Sequence, residues 1–294
     1  MLIGNERIQR YLDEVMRRKR PAHAYLFYGP TGVGKTTFAE ALAKGILCEE
    51  KKLEGCGRCA ACRSFEHSPN IIRMIPGTPF IPEEDGEDIS LKEVQELRRM
   101  LGLSLPSRVV LIEEAGRMAR EAANAFLKIL EEPLPGTVFL LTAEIRNELL
   151  PTIRSRLITL GMAEVPAREM KIVPGATPER LLLSQGRPGR LIRMIGDPTY
   201  EVLLQEMSQD AKRVVEGLRG TALSVAGRYA ERHGSDFVSY LFNTISNELP
   251  KCQEARHVPR RIGSALTTLR AIETTNVNRR LAWDILMLNS RLRP

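Results

Sequence analysis

The stretch Gly29-Pro-Thr-Gly-Val-Gly-Lys35-Thr36 follows a known spacing: a glycine, four residues, then Gly-Lys-Thr. Gly29, Gly32 and Gly34 let the backbone curl until successive N–H groups face phosphate oxygens, and a helix starting there adds its positive N-terminus. Lys35 then reaches the β and γ phosphates of a nucleotide, and the Thr36 hydroxyl joins the shell of a Mg²⁺ ion. Val33 and Thr37 complete the contact set of that loop. The alternative is a glycine-rich turn that holds nothing. Phosphoryl chemistry also needs a carboxylate at a neighbouring strand end for Mg²⁺, with a base or water-orienting group beside it. Glu113 and Glu114, directly after the apolar run Val109-Val-Leu-Ile112, offer both, although two exposed glutamates capping a strand would look the same.

A second cluster is Cys48-x7-Cys56-x2-Cys59-x2-Cys62. Four thiolates close a tetrahedral Zn²⁺ site and leave no open position, so this metal would be structural rather than catalytic. An iron–sulfur cluster and a set of metal-free thiols are the alternatives. His67 follows too late to be needed, and Cys252 and Trp283 have no neighbours that suggest a site. The basic stretches Arg17–Arg20 and 251–261 read as solvated helix ends, with nucleic-acid or partner contact as the alternative.

The elements around these residues fit the chemistry. Ala24-Tyr-Leu-Phe-Tyr28 predicts a strand before the glycine loop, and residues 35–44 predict the helix after it. Ile8, Leu12, Val15 and Met16 mark one face of an earlier helix closed by Pro21. The cysteine segment reads as an insertion, and the acidic, Pro- and Gly-rich stretch 77–88 as an exposed loop before an amphipathic helix on Leu91, Val94 and Leu97. Residues 109–112 and Thr137–Thr142 are continuous apolar runs, as in strands covered on both faces of a parallel sheet. Between them lies a helix from Ala119 to Glu132, stopped by Pro133. This alternation predicts a doubly wound α/β domain over 1–160. Beyond Pro166 the pattern is helical, and we place a small helical domain at 161–197 and a helical C-terminal domain at 198–294.

Composition limits the possibilities. With 294 residues, 43% hydrophobic and 27% charged, the chain suits two or three packed domains rather than a disordered protein. The net charge of +7 permits nucleic acid without requiring it. No apolar run approaches the roughly 20 residues of a membrane helix, and residues 1–20 are too charged for a signal peptide, so a cytoplasmic protein without membrane partners is expected. Four cysteines crowded together, with one apart, are unlike a secreted disulfide framework.

His23-Ala-Tyr-Leu-Phe, then Gly29-x4-Gly-Lys-Thr, then the four cysteines, resembles the bacterial DNA polymerase III clamp-loader AAA+ subunits. The resemblance continues through Ala122-Ala-Asn-Ala-Phe-Leu-Lys-Ile-Leu-Glu-Glu-Pro133 and Leu149-Leu-Pro-Thr-Ile-Arg-Ser-Arg156, and weakly through Gly186-Arg-Pro-Gly-Arg190. It is strong over 1–160 and modest at 184–191. The short N-terminus and the length resemble the delta prime branch, with gamma/tau second. The resemblance implies an AAA+ phosphate-loop core with a zinc insertion at 48–62, a helical lid and a helical collar that holds a pentamer with gamma/tau and delta subunits. It implies ATP or ADP, Mg²⁺ and Zn²⁺ as ligands, and ATP-driven loading of a sliding clamp onto primer-template DNA. Arg156 matches an arginine given in trans to ATP on a neighbouring subunit, and Arg190 a lid arginine that reads the γ-phosphate in cis.

Several departures from the pattern stand out. Glu113 replaces the usual Asp, Leu157 the usual Cys, and Ala143 and Glu144 stand where threonines are common. The interval from Arg156 to Arg190 is short. These changes point to a subunit that binds ATP and hydrolyses it poorly. A gamma/tau-like motor ATPase and a nucleotide-independent assembly subunit are the competing readings. A stand-alone nucleotide kinase lacks a second substrate pocket here, and polymerase chemistry would belong to a partner.

Overall fold

The structure, a computed structural model, describes residues 1–78, 88–102 and 107–215, together with 228, 229, 237, 240, 241 and 244. The expectations for Cys252, Trp283, the 251–261 stretch and most of the C-terminal helical domain lie outside the described residues. The chain divides into two compact units, Met1–Arg193 and Met194–Pro294.

The first unit opens with α1 (Glu6–Arg18), β1 (Ala24–Tyr28) and α2 (Lys35–Leu47). The cysteine segment carries the short α3 (Ala60–Arg63) before β2 (Ile71–Met74), and α4 (Leu91–Leu101) follows. Then come β3 (Arg108–Ile112), α5 (Arg120–Glu131), β4 (Thr137–Ala143), α6 (Pro151–Arg154) and β5 (Ile158–Gly161). The helices α7 (Ala167–Met170) and α8 (Pro178–Ser184) follow, the boundary between the units falls within α9 (Pro188–Gly196), and α10 (Pro198–Val215) belongs to the second unit.

The five strands form one parallel sheet in the order β2-β3-β4-β1-β5. Two of these strands, β2 and β5, are additions to the three that the sequence pattern predicts. They are the edge strands, four residues long and only partly buried, so neither shows the continuous apolar run of an inner strand. In the inner strands alternate side chains feed two separate cores. Val110 and Ile112 of β3, Phe139 and Leu141 of β4 and Leu26 of β1 pack toward α4 and α5. Val109, Leu111, Leu140, Tyr25 and Phe27 pack toward α1 and α2. Phe126 of α5 meets Phe139 edge to face, with ring centroids 5.5 Å apart.

Register places β1 beside β4, with Tyr25 opposite Leu140, and β4 beside β3, with Phe139 opposite Val110. The carboxyl ends of β1, β3 and β4 therefore open on one rim, where ligands of such sheets bind. The amphipathic α4 begins with a reciprocal cap. The Glu93 N–H donates to Ser90 Oγ at 3.2 Å, and the Ser90 N–H donates to Glu93 Oε2 at 2.8 Å. Ser90→Ala should cost about 1 kcal/mol, read as roughly fivefold faster amide exchange in the first turn of α4.

In the second unit Asp210 is buried and accepts hydrogen bonds from Arg228 at 2.8 Å and from the Tyr229 hydroxyl at 2.9 Å. Tyr229 stacks on Phe237 with centroids 4.8 Å apart.

Candidate nucleotide and metal sites

The glycine loop leaves β1 at Gly29, whose N–H donates to the Ala143 carbonyl at 3.3 Å. A Cβ at Gly29 would lie 2.3 Å from the Met162 carbonyl oxygen, and φ there is +150°, so a side chain would force the β1 end away from β5. Gly34 is the N-cap of α2. Lys35 Nζ donates to the carbonyls of Gly29 at 2.8 Å and Pro30 at 3.0 Å, which folds the ammonium back over the loop. Burial pushes its pKa down, against the opposing pull of Glu144, Glu114 and Glu148. The Val33 side chain is fully buried in the core, which leaves only its backbone to face a ligand.

The Thr36 hydroxyl donates to Glu113 Oε2 at 3.2 Å across 77 residues of sequence. Burial raises the Glu113 carboxyl above the usual carboxylate range, and the Thr36 hydrogen bond opposes that rise. Glu114 takes a left-handed conformation, its N–H donates to Thr142 Oγ1 at 3.0 Å, and its carboxylate accepts from Arg117 at 3.4 Å. The rim therefore brings loop and carboxylates together around a cavity of about 550 Å³ lined by Gly32, Gly34, Lys35, Thr36, Thr37, Glu113 and Glu114. The donor set suits a phosphate chain and a hard cation: backbone N–H groups, an ammonium, a hydroxyl and carboxylates.

The cavity also holds residues that the sequence reading did not single out: Gly116, Arg117, Thr142, Glu148 and Gly189. The Gly189 N–H at the start of α9 donates to the Gly32 carbonyl at 2.8 Å, and a Cβ on Gly189 would stand 3.1 Å from that oxygen. The match at residues 186–190 was the one available signal. Arg190 lies beside the loop, is buried, and turns its guanidinium to Gln185 Oε1 at 3.0 Å. Arg156 lies elsewhere. Its Nη2 donates to Glu131 Oε1 at 2.8 Å and its Nη1 to the Thr152 carbonyl at 2.8 Å, with side chains 35% and 45% exposed for the arginine and the glutamate.

The four sulfurs of Cys48, Cys56, Cys59 and Cys62 all lie within 4.8 Å of one another, and all four are free thiols. A Zn²⁺ ion with tetrahedral bonds of roughly 2.3 Å sets sulfur pairs roughly 3.8 Å apart. Cys56 and Cys62 are already at 3.9 Å, so the set fits zinc with little movement. Burial pushes the Cys48 thiol up, but N–H groups of Lys52 and Glu50 and the neighbouring thiols outweigh it and bring it down to about 6. Cys48 caps the C-terminus of α2, the helix whose N-terminus is the phosphate loop. Phe65, buried beneath Lys44 of α2 at 4.8 Å, docks the cysteine segment on that helix. His67 stands outside the thiol cluster.

The family model described as DNA polymerase III, delta subunit matches residues 4–166. The chain is 34% identical over 218 residues to DNA polymerase III subunit delta' of Pseudomonas aeruginosa, covering 69% of this chain and 62% of that protein. It is 32% identical over 201 residues to the subunit delta' of Bacillus subtilis, covering 67% and 56%. The matches thus span about three fifths of the length of these relatives. Among solved structures, the Thermotoga maritima RuvB Holliday junction branch migration motor superposes with a TM-score of 0.53 at 17% identity, covering 82% of this chain and 88% of that one, which is a likeness of fold. With more than half of its residues matched by the family model, the chain belongs to the DNA polymerase III, delta subunit family.

Proposed function

We propose that the chain is a delta-prime-like subunit of a DNA polymerase III clamp loader that binds ATP or ADP with Mg²⁺, holds one structural Zn²⁺, and lends Arg156 to ATP on a neighbouring subunit. Its partners in this reading are gamma/tau and delta subunits in a hetero-pentamer, the sliding clamp, and primer-template DNA reached through the complex. The domains would be an AAA+ core over 1–160 with the zinc module at 48–62, a lid over 161–197 and a collar over 198–294. The protein would work in the cytoplasm; among the described residues, no helix is long and apolar enough to cross a membrane.

The observation that carries the nucleotide part is the Thr36–Glu113 hydrogen bond at the rim of the sheet, because it joins the phosphate loop to a strand-end carboxylate in one cavity. Thr36 and Glu113 would hold Mg²⁺, which when bound neutralises charge on the terminal phosphates. Lys35 would leave the Gly29 and Pro30 carbonyls for a phosphate, exchanging neutral acceptors for a charged one. Glu114 is tied to Arg117, a poor start for activating water, which supports weak turnover by this chain alone.

The intact loop also favours the motor reading, and Lys35→Ala separates the possibilities. For the proposed role, nucleotide affinity of the isolated chain falls at least roughly tenfold, the worth of a charge-assisted hydrogen bond, while turnover of the reconstituted loader falls only in part. Complete loss of turnover would assign the chain as a motor. No change in either measurement would make the loop a relic in an assembly subunit.

A further inference from the structure

The nucleotide cavity has an unusual charge balance. Its lining carries four carboxylates, Glu113, Glu114, Glu144 and Glu148, against two cations, Lys35 and Arg117. Glu113 is accounted for by Thr36, and Glu114 by Arg117. Glu144 and Glu148 are extra; both come from the segment after β4, line the cavity beside Lys35, and act on the ammonium that the motif assigns to the terminal phosphates.

Glu148 is fixed at this spot from two sides. Its Oε2 accepts the Glu144 N–H at 3.2 Å, so loop and carboxylate form a closed turn. The same oxygen packs over Gly116, where a Cβ would come within 2.6 Å of it; any side chain there would displace the carboxylate. Gly116 lies four residues beyond β3, so the Glu148 carboxylate hangs over the end of that strand, lines the same cavity as Lys35 and Thr36, and is near enough to act on the Lys35 ammonium. Glu148 is exposed, but its carboxyl faces the open cavity, and a ligand filling that space would desolvate it.

A P-loop lysine serves the β and γ phosphates, and the γ-phosphate adds charge at the end of the chain. A fixed carboxylate at that end repels the added charge more than it repels the shorter diphosphate. We propose that Glu148, with Glu144 beside it, is a specificity-determining residue that makes this cavity prefer a nucleoside diphosphate to the triphosphate. The chain would then keep ADP through cycles in which its neighbours exchange and hydrolyse ATP. This deepens the nucleotide-binding reading above and rests on it.

Calorimetric titration of the full chain with Mg²⁺–ADP and Mg²⁺–ATP tests the idea without any turnover assay. The wild type is expected to bind ADP at least roughly tenfold more tightly, a ratio that one close charge pair near a protein surface can supply. Glu148→Gln keeps the acceptor for the Glu144 N–H and removes the charge. It should tighten ATP roughly tenfold, leave ADP within about twofold, and so erase most of the preference. Glu144→Gln, on an exposed side chain, should move the ratio the same way by less, and serves if Glu148→Gln does not fold. A wild type that binds ATP as well as ADP, or variants that leave the ratio unchanged, would overturn the proposal while the nucleotide site stands. If the wild type binds neither nucleotide, the nucleotide-binding reading itself fails, and this inference with it.

Discussion

In the proposed role, Arg156→Ala in a loader reconstituted with gamma/tau and delta subunits should cut DNA-stimulated ATP turnover at least roughly tenfold, while nucleotide binding by the isolated chain stays unchanged. An arginine offered in trans to a transferring phosphoryl group can be worth roughly 10³ to 10⁵ in rate, so tenfold is a conservative threshold. The geometry suits such a role. Arg156 is absent from the lining of the cavity around Lys35 and Thr36, so in the proposed role the phosphate it meets is one held by another chain. Its guanidinium is held by Glu131 on α5, by the Thr152 carbonyl of α6 and by the hydroxyl of Ser155 just after that helix. A guanidinium has five N–H donors, so donors remain for an incoming anion while the others keep the group in place.

Stability should barely change in this variant, because a partly exposed ion pair contributes only about 0–1 kcal/mol. That separates a catalytic loss from a folding defect. Turnover in the Arg156→Ala loader equal to wild type, with assembly intact, would remove Arg156 from the site.

Loss of zinc is expected to have the second large effect. Elemental analysis should find one zinc per chain, and Cys56→Ser or a strong chelator should release it. Binding at such a site is worth on the order of 10 kcal/mol, and the segment from 49 to 63 has little buried apolar surface of its own to replace it. The damage should spread along α2, since Cys48 closes that helix and Phe65 docks the segment against Lys44. Amide exchange in the last turns of α2 and in β2 should rise by orders of magnitude, and the thermal midpoint should fall. Protein purified without zinc, together with a Cys56→Ser variant of unchanged stability, would show instead that the four thiols pack without metal.

Much of this molecule is legible without coordinates, wherever the physical requirement is local. A phosphate loop needs its glycines, lysine and threonine in contiguous positions, so Gly29 to Thr36 declares itself between a strand and a helix. Four cysteines in one short segment are readable as a cluster for the same reason, and their sulfurs gather within 4.8 Å of one another. The inner strands β3 and β4 are readable because burial on both faces demands unbroken apolar runs, and α5 because its period ends at Pro133. The edge strands β2 and β5 carried no such mark, since solvent on one side relaxes the demand.

What the amino-acid order determined by itself is therefore the chemistry on offer: a glycine-lysine-threonine loop with the spacing of a phosphate cradle, strand-end carboxylates, a thiol cluster and Arg156. The tertiary structure alone decided which of these meet. The parallel order β2-β3-β4-β1-β5 carries Glu113 to Thr36, Glu148 to the rim above β3, Gly189 onto Gly32, and Arg156 to Glu131, away from the cavity. Such meetings depend on how strands that are distant in sequence pair through backbone hydrogen bonds and on how two cores fill, and these are properties of the whole sheet rather than of any segment.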